Sequence, residues 1–422
     1  MIACAFLVSA APLLAPQDDV RPPSSRELKA LLAKLQAVEP YRADSRARVD
    51  ALLEPYAALE APSGSKRKKL LKSIEKAWED GRELPRKGGE HWYWEDERRG
   101  RFFLSGKTKK PKGLFIGLHG GGVGSADASG CYRTYRSSAD KRGWLSIYPQ
   151  ALEATERGWT DSGTEEWIMT LIDEARRTFD VPADQVFIGG HSMGGYGSWV
   201  LSAHHADLFA AAVPSAGSIT PVYALGTTDI IDVQEGIVPN LRNLPMCVFQ
   251  STDDPRVPPE PNQAAVLKVE ECKGRYGGFE DFTYWEVGDR GHGFPEGGTE
   301  ALLTRIDGFT RDPHPERVVW EPSLTWRTSF YWLDWPTPAT GVTVDATVDR
   351  EAGTIEIRTN GEAPGLAVLL SDAVVDMKSE LTITLNDAEV FSGVPGTSWS
   401  TLVRTALTND PGRTFTARIP LD

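Results

Sequence analysis

The chain is poor in cysteine and histidine. Its 422 residues include four cysteines and seven histidines. Cys4 lies in an apolar N-terminal segment, and the other three cysteines permit at most one disulfide. Their spacing fits no zinc-binding pattern. Cys247, in the apolar run Met246–Phe249, is interpreted as a buried small hydrophobic residue. The cysteines therefore give no sign of a disulfide framework or of a zinc module.

A surplus of positive charge and a long apolar run are also missing. Lys and Arg number 46 against 59 Asp and Glu, a net charge of −13, which argues against nucleic acid as the main partner. No apolar run reaches the roughly 18–20 residues that a membrane-spanning helix needs, so no stable membrane insertion is expected. Hydrophobic residues still make up 40% of the sequence, enough for a packed core.

Residues 1–17 resemble a secretory signal peptide. Met1–Ala15 is uncharged and mostly apolar, and the chain then turns abruptly polar at Gln17–Asp19. We expect cleavage near Ala15 and a secreted or periplasmic location. A frayed apolar N-terminus is the alternative interpretation.

Hydrophobic patterns divide the rest of the chain into three regions. In residues 18–85, apolar side chains recur at the spacing of one helix face, which predicts a helical segment; examples are Leu28, Leu31, Leu32 and Leu35. In residues 86–312, short unbroken apolar runs such as Leu114–Leu118 alternate with helix-length segments. This alternation predicts an α/β region with a doubly wound, mainly parallel sheet that is covered on both faces.

Residues 313–422 lose the helical period. Thr354–Arg358 and Leu381–Leu385 alternate with a period of two, and Asn360-Gly361 is a turn signal between them. The region is predicted to be an all-β, sandwich-like module. We interpret the aromatic segment Ser329–Trp335 as core that docks this module onto the preceding region, in preference to an exposed row that grips a sugar or a polymer.

The stretch Gly190-His191-Ser192-Met193-Gly194 matches the pattern G-x-S-x-G. An apolar strand, Val186–Ile188, precedes it and a helical pattern, Met193–His204, follows it, as a nucleophile elbow requires. Such a turn places the serine at a helix N-terminus, where backbone dipoles favour developing negative charge. We therefore predict that Ser192 is a nucleophile and that the backbone N–H of Met193 stabilises an oxyanion.

A serine nucleophile needs a base, and the base needs an acid that orients it. His292 lies between glycines, just after the apolar run Phe282–Val287, and is the predicted base. Asp253 and Asp254 follow the run Met246–Gln250. Neighbours on an extended segment point in opposite directions, so only one of the two should face His292. The other is expected to cap the following turn, which contains a proline.

A glycine-rich loop, Leu118–Gly122, follows the strand Leu114–Leu118 directly. Glycines let backbone N–H groups approach a substrate oxygen, as in the HGGG-type oxyanion loop. His119 is expected to support this loop by hydrogen bonding and not to transfer protons.

With these motifs in their order, the region from about Lys112 to Phe309 resembles the α/β-hydrolase superfamily. Within it, the sequence is similar to secreted esterases of the dienelactone-hydrolase-like, feruloyl-esterase-like and polyhydroxybutyrate-depolymerase-like group. The resemblance covers about half of the chain. It implies a catalytic triad and two backbone oxyanion donors; the triad residues are Ser192, His292 and Asp254, with Asp253 as the rival acid, and the donors are Met193 and either Gly121 or Gly122.

This reading predicts hydrolysis of a small-molecule or polymeric carboxylic ester, with no metal or organic cofactor. Trp159 follows the strand Trp144–Tyr148 and is a candidate substrate contact by its position. The long insertion Ser218–Leu244 is interpreted as a lid or part of the acyl pocket. Two other functions remain open: a serine peptidase of the prolyl-oligopeptidase type, and a binding protein on a hydrolase scaffold.

Overall fold

The computed structural model describes residues 21–421. The expected signal peptide, residues 1–17, lies outside the described residues. Within 21–421, no helix is both long enough and apolar enough to cross a membrane.

The first part of the described chain is helical. A capping box at Ser24 and Glu27 starts the first helix, and its leucines turn inward as their spacing predicted. The helices are α1 (Ser25–Gln36), α2 (Ser45–Leu53) and α3 (Gly64–Glu79).

The middle of the chain forms a large sheet with helices on both faces. Neighbouring side chains of one strand leave on opposite sides: Ile116 packs with residues of the helix Thr164–Phe179, and Phe115 packs with residues of the helix Ala128–Lys141. The strands are β1 (Gly89–Trp94), β2 (Arg99–Gly106), β3 (Leu114–Leu118), β4 (Gly121–Gly122), β5 (Ser125–Ala126), β6 (Leu145–Pro149), β7 (Val186–His191), β8 (Ala211–Ser215), β9 (Pro221–Tyr223), β10 (Ile230–Val233), β11 (Met246–Ser251) and β12 (Phe282–Val287). The helices are α4 (Ala128–Lys141), α5 (Thr164–Phe179), α6 (Met193–His204), α7 (Glu260–Tyr276) and α8 (Gly298–Thr304).

The strand order of this sheet is β1-β2-β6-β3-β7-β8-β11-β12. β2 runs antiparallel to both of its neighbours, β1 and β6. The other neighbouring pairs in this sheet, from β6-β3 to β11-β12, are parallel. Strands β3, β6, β8 and β11 are buried along their whole length, as continuous apolar runs predict. The expected doubly wound, mainly parallel sheet is confirmed, and the carboxyl ends of its parallel strands meet at one edge.

The insertion Ser218–Leu244 contains a hairpin that is anchored at its ends and exposes apolar side chains such as Leu225 and Ile231. Its hairpin, β9 and β10, contacts α7, and Asp232 forms an ion pair of 3.5 Å with Lys268 on that helix. Further on, the side-chain amide of Asn240 donates to the carbonyl of Glu321, 3.1 Å away. These contacts hold the segment against α7 and against the C-terminal region. Its interpretation as a lid or part of the acyl pocket stays a prediction.

The C-terminal region consists of two sheets and a helix. The sheets have the strand orders β13-β16-β17-β19-β20 and β14-β15-β18-β21. The strands are β13 (Arg317–Trp320), β14 (Ser329–Phe330), β15 (Leu333–Asp334), β16 (Val344–Asp349), β17 (Thr354–Thr359), β18 (Ala367–Leu370), β19 (Leu381–Leu385), β20 (Ala388–Gly393) and β21 (Ala417–Pro420). The aromatic segment Ser329–Trp335 is core, as interpreted: Trp332 and Trp335 are buried, and the Tyr331 hydroxyl donates to the carbonyl of Ala206 in the α/β region.

The prediction of strands alone in this region missed α9 (Trp399–Ala406). Ser398 caps the helix by accepting from the backbone N–H of Thr401. The side chains of Trp399, Leu402 and Val403 pack with those of α1, α2 and α3 in one apolar cluster. The helix therefore gives the N-terminal helices an apolar face on which to pack.

A buried carboxylate joins the N-terminal helices to the C-terminal region. The side chain of Asp334 on β15 is fully buried and binds Arg46 from α2, Arg404 from α9 and Arg418 from β21. Burial alone would raise the pKa of Asp334, but the arginines, with Arg404 foremost, hold this pKa below its usual value. The carboxylate is thus charged and fully paired, as a buried charge must be.

Candidate active site

Ser192 occupies a sharp turn between β7 and α6. Its backbone has φ 62° and ψ −123°, a strained conformation for a residue with a side chain. The flanking glycines are needed for space: a Cβ on Gly190 would lie 2.6 Å from the carbonyl oxygen of Gly194, and one on Gly194 would lie 2.1 Å from that of Leu118. The turn therefore has the geometry predicted for a nucleophile elbow.

The structure brings the three predicted side chains together. The Nε2 atom of His292 lies 2.9 Å from the Ser192 Oγ, and its Nδ1 atom lies 2.8 Å from Oδ2 of Asp254. A carboxylate only accepts, so Nδ1–H donates to Asp254, and Nε2 of the neutral ring is left to accept the hydroxyl proton of Ser192. The three groups form one continuous hydrogen-bonded chain.

Each of these residues follows a strand of the large sheet at its carboxyl edge. Counted along the chain, the eight strands of this sheet are ordered 1-2-4-3-5-6-7-8; Ser192 follows the fifth, Asp254 the seventh and His292 the eighth. The chain has the α/β-hydrolase fold. The expected fold class is thereby confirmed.

Asp254 is the aspartate that faces His292. Its side chain is fully buried, and its Oδ1 also accepts from the backbone N–H groups of Arg256 and Val257 at 2.8 and 3.0 Å. The residue that contacts the imidazole therefore also caps the turn that follows it. These backbone bonds fix the carboxylate in the orientation that His292 needs.

Asp253 has a different place from the one predicted. The expectation that the second aspartate caps the turn before Pro255 is wrong, because Asp254 already satisfies that turn. Instead, Oδ1 of Asp253 accepts from the backbone N–H of Gly291 at 2.9 Å and from the Ser251 hydroxyl at 2.5 Å. Asp253 therefore ties the loop that carries His292 to the end of β11.

The glycine loop after β3 approaches Ser192 through Gly120. A Cβ on Gly120 would lie 3.2 Å from the Ser192 Cβ, so only a glycine fits comfortably there. Gly121 and Gly122, one of which is the predicted oxyanion donor, form β4 and pair with Ala126 and Ser125 slightly further along the loop. Sequence reasoning did not single out Gly120, because the contact depends on how closely the loop passes the elbow. The assignment of a donor to Gly121 or Gly122 stays a prediction.

Met193, the second predicted donor, is the first residue of α6. The N–H groups of the first helical turn have no acceptor within the helix. The positive end of the helix dipole lies at this turn. The role of the Met193 N–H as an oxyanion donor stays a prediction.

His119 supports the loop, as expected. The backbone N–H of Ala151 donates to its Nε2 at 3.0 Å, so its Nδ1–H donates to the carbonyl of Gly120 at 2.8 Å. Burial lowers the pKa of His119 to about 4, which keeps the ring neutral. The ring holds the carbonyl of Gly120 and so fixes the loop beside Ser192.

The prediction that Trp159 lines the substrate pocket is wrong. Its side chain is 0% exposed and packs against the His119 ring, with 4.6 Å between ring centroids. A Cβ on Gly197 of α6 would lie 2.5 Å from the indole ring. Trp159 thus fills the core behind the glycine loop. Its position after a strand does not tell whether the side chain is buried or faces the substrate.

His191 is a contact that sequence reasoning missed. Its Nε2 lies 3.2 Å from the backbone carbonyl of His292, and its Nδ1 lies 3.2 Å from the Ser215 hydroxyl. The carbonyl only accepts, so Nε2–H donates and Nδ1 accepts from Ser215. Its ring also packs against Phe294. Burial, and then the nearby His292, lower the pKa of His191 to about 4.

His204 and His205, on and just after α6, are packing residues. Both are buried and contact the same oxygen of Glu165, at 2.8 and 2.9 Å. Burial would raise the pKa of Glu165, but the two imidazoles hold it at about 2. This cluster joins α5 to α6 and is separate from Ser192.

The three cysteines within the described residues are buried and unpaired. Cys131, Cys247 and Cys272 are all free thiols, which confirms the interpretation of Cys247 as a buried hydrophobic residue. Burial raises the pKa of the Cys131, Cys247 and Cys272 thiols. Across residues 21–421, no cluster of three or more His, Cys, Asp or Glu is placed to hold a metal ion.

Comparison with known proteins gives distant similarities. No known protein-family profile matches the chain. A bifunctional acetylxylan esterase/xylanase from Neocallimastix patriciarum is 24% identical over 149 residues. The match covers 32% of this chain and 22% of that protein, so the chain spans about a fifth of the relative's length.

Solved structures are similar at low identity. A thermostable esterase is 20% identical, with 50% of this chain and 59% of that chain covered and a TM-score of 0.39. The poly(3-hydroxybutyrate) depolymerase LpqC from Bordetella parapertussis is 16% identical, with coverages of 54% and 92% and a TM-score of 0.38. An acetyl xylan esterase from Aspergillus awamori is 16% identical, with coverages of 42% and 75% and a TM-score of 0.32. The fold assignment therefore rests on the strand order of the sheet.

Proposed function

We propose that this α/β-hydrolase-fold chain is a serine hydrolase that cleaves carboxylic esters. The observation that carries the proposal is the hydrogen-bonded chain Asp254–His292–Ser192, with contacts of 2.8 and 2.9 Å. A hydroxyl alone is a poor nucleophile, and a correctly oriented imidazole beside it removes the proton as the new bond forms.

The reaction proceeds in two halves. The Ser192 Oγ attacks the ester carbonyl carbon while its proton passes to Nε2 of His292. The tetrahedral intermediate collapses as His292 returns the proton to the leaving alkoxide, which departs as the alcohol and leaves an acyl ester on Ser192. Water then attacks this ester, His292 takes one proton from the water and gives it to the Ser192 oxygen, and the carboxylic acid leaves.

The negative oxygen of each tetrahedral intermediate needs hydrogen-bond donors. We assign one to the N–H of Met193 and the other to Gly121 or Gly122. Loss of one such donor typically weakens transition-state binding by about 3–4 kcal/mol.

Two features support esters as the substrate class. The glycine loop after β3 has the sequence pattern of lipase and esterase oxyanion loops. The curated relative is named an acetylxylan esterase/xylanase. A peptidase of the prolyl-oligopeptidase type is disfavoured because the described residues before β1 form helices and no propeller blades. Secretion stays a prediction from residues 1–17.

The test compares the hydrolysis of aryl esters with that of chromogenic peptides by the full chain. The full chain should hydrolyse 4-nitrophenyl acetate, and Ser192→Ala should lower kcat by roughly 10⁶-fold. Ser73→Ala, at an exposed hydroxyl on α3, is the matched control and should leave kcat unchanged. Turnover of peptides alone would overturn the ester assignment, and full activity in Ser192→Ala would overturn the mechanism.

A further inference from the structure

A cavity of about 380 Å³ lies where the N-terminal helices, α5 and the C-terminal region meet. Its walls come from the end of α1, from α2, from the face Thr170–Arg177 of α5, and from segments on either side of β15 and around α9. Its lining within residues 21–421 does not include Ser192, Asp254 or His292. This volume is within the range of small-molecule sites.

Positive charge is in excess around this junction cavity. Only two carboxylates line it, Asp173 and Glu174, against six arginines: Arg46, Arg82, Arg177, Arg327, Arg404 and Arg413. Three more carboxylates bind these arginines from behind, namely Asp50, Asp207 and Asp334. The six arginines therefore have five carboxylates as partners, a surplus of one positive charge. Two of these carboxylates, Asp173 and Asp334, also pair with Arg176 and Arg418, so the surplus is at least one.

Arg413 differs from the other five arginines of the cavity wall in its hydrogen bonding. Its side chain is 17% exposed, and its Nε lies 3.7 Å from Oδ2 of Asp207, too far for a hydrogen bond. Asp207 already accepts a hydrogen bond from Arg327. Among the described residues, no group accepts a hydrogen bond from the Arg413 guanidinium. This guanidinium is half-buried and reachable from the cavity, so an anion there would supply the acceptor that the described residues do not.

Other polar atoms on the cavity wall are in the same state. The Nε of Arg177, the hydroxyl of Thr408 and Oε2 of Glu174 are buried and, within residues 21–421, have no hydrogen-bond partner. The first two can donate and the third accepts. The cavity wall therefore carries unused polar atoms, and the surplus of arginines favours an anion.

The rest of the wall is apolar and aromatic. Trp78, Trp326, Tyr331 and Phe415 line the same space as the arginines. Aromatic faces offer apolar contact and stacking to a planar ligand. A fully hydrated inorganic anion would leave this surface unused.

We propose that the junction cavity binds a small organic monocarboxylate with an aromatic or apolar body. The planar guanidinium of Arg413 matches a carboxylate in a two-point hydrogen bond, and one negative charge offsets the surplus. The aromatic wall receives the body of the ligand. The site is distinct from the ester-cleaving centre and does not depend on the chemistry assigned to Ser192.

Isothermal titration of the full chain with benzoate tests the proposal. Arg413→Gln should weaken benzoate binding about ten- to hundred-fold, because a charge-assisted pair of hydrogen bonds is lost. Arg358→Gln removes an exposed arginine that pairs with Asp387 on the same C-terminal region and should bind as the unaltered chain does. Equal affinity in Arg413→Gln and the unaltered chain would overturn the site. Binding of inorganic phosphate as tight as that of benzoate would overturn the ligand class.

A measurement on the unaltered protein covers the case in which Arg413→Gln does not fold. Crystals soaked with 4-iodobenzoate should show an anomalous iodine peak inside the junction cavity, with the carboxylate at Arg413. A peak only beside Ser192, or no peak in the cavity, would overturn the proposal. The first of these outcomes leaves the ester-hydrolase assignment untouched.

Discussion

At the scale of single residues, hydrogen bonds to His292 and to its loop decide which ring nitrogen faces Ser192 and where the ring lies. Asp254 holds Nδ1 of His292, and this fixes Nε2 as the acceptor for the Ser192 proton. Asp253 and His191 hold the backbone of the loop that carries His292. The first contact sets the chemistry of the imidazole, and the other two set its position.

Replacement of Asp254 by Asn should lower kcat by about 10⁴-fold. The amide keeps the shape of the carboxylate but does not stabilise the imidazolium, and it favours the wrong tautomer of His292. Steady-state hydrolysis of 4-nitrophenyl acetate measures the effect. Asp253→Asn is the matched control one position away, and its loss should be much smaller. A larger loss in Asp253→Asn would assign the acid to Asp253.

Replacement of His191 by Phe should lower kcat about ten-fold with little change in KM. The phenyl ring keeps the packing against Phe294 but loses two hydrogen bonds, each worth about 1 kcal/mol, so the His292 loop is held less firmly. Kinetics with 4-nitrophenyl acetate separate the two constants. His91→Phe in β1 is the control. An unchanged kcat would show that His191 does not position the base.

Sequence reasoning found Ser192, Asp254 and His292 because each follows an apolar run that the sheet buries. It missed Gly120 and His191, although both lie in motifs that it identified. Their roles depend on how closely two loops approach across the sheet edge, and no spacing in the sequence encodes that distance. Trp159 was misplaced for the same reason.

At the scale of elements, the helix α9 explains how the N-terminal helices are held. Its apolar residues recur at i, i+3, i+4 and i+7, the signal that marked α1, but over eight residues within a region of alternating strands. A helical pattern over only eight residues was not recognised among the alternating strand patterns on either side of it. The longer elements were predicted closely: Phe282–Val287 and Met193–His204 have the bounds that their patterns gave.

Replacement of Leu402 by Ala should lower the free energy of unfolding by about 2–5 kcal/mol. The side chain of Leu402 is fully buried between α9 and the N-terminal helices, so its removal leaves a cavity. Urea denaturation followed by circular dichroism measures the change. Leu267→Ala, at an exposed leucine of α7, should cost well under 1 kcal/mol. Equal effects of the two changes would contradict the packing described for α9.

At the scale of the whole molecule, the N-terminal helices and the C-terminal region pack against each other. Asp334 gathers arginines from α2, α9 and β21, and the apolar cluster of α9 lies beside this junction. The sequence shows these arginines and this aspartate far apart, with nothing to pair them. Charge pairing across hundreds of residues is a property of the folded chain alone.

The buried histidines make stability depend on pH. Burial lowers the pKa of His119, His191 and His205 to about 4 each, from an ordinary value of 6.5. Between these values the unfolded chain binds protons that the folded chain does not, so the free energy of unfolding falls as pH drops from 6.5 towards 4. Urea denaturation at pH 7 and pH 4.5 checks this expectation. Equal free energies of unfolding at the two pH values would contradict the neutral, buried state of these rings.

The central claim is that Ser192 is an activated nucleophile. Mass spectrometry of the full chain after reaction with a fluorophosphonate at pH 7 should find one covalent adduct on the peptide that carries Ser192. Ser192→Ala should give no adduct, and His292→Ala should form it far more slowly. An adduct on a different residue, or equal labelling rates with and without the imidazole of His292, would contradict the account.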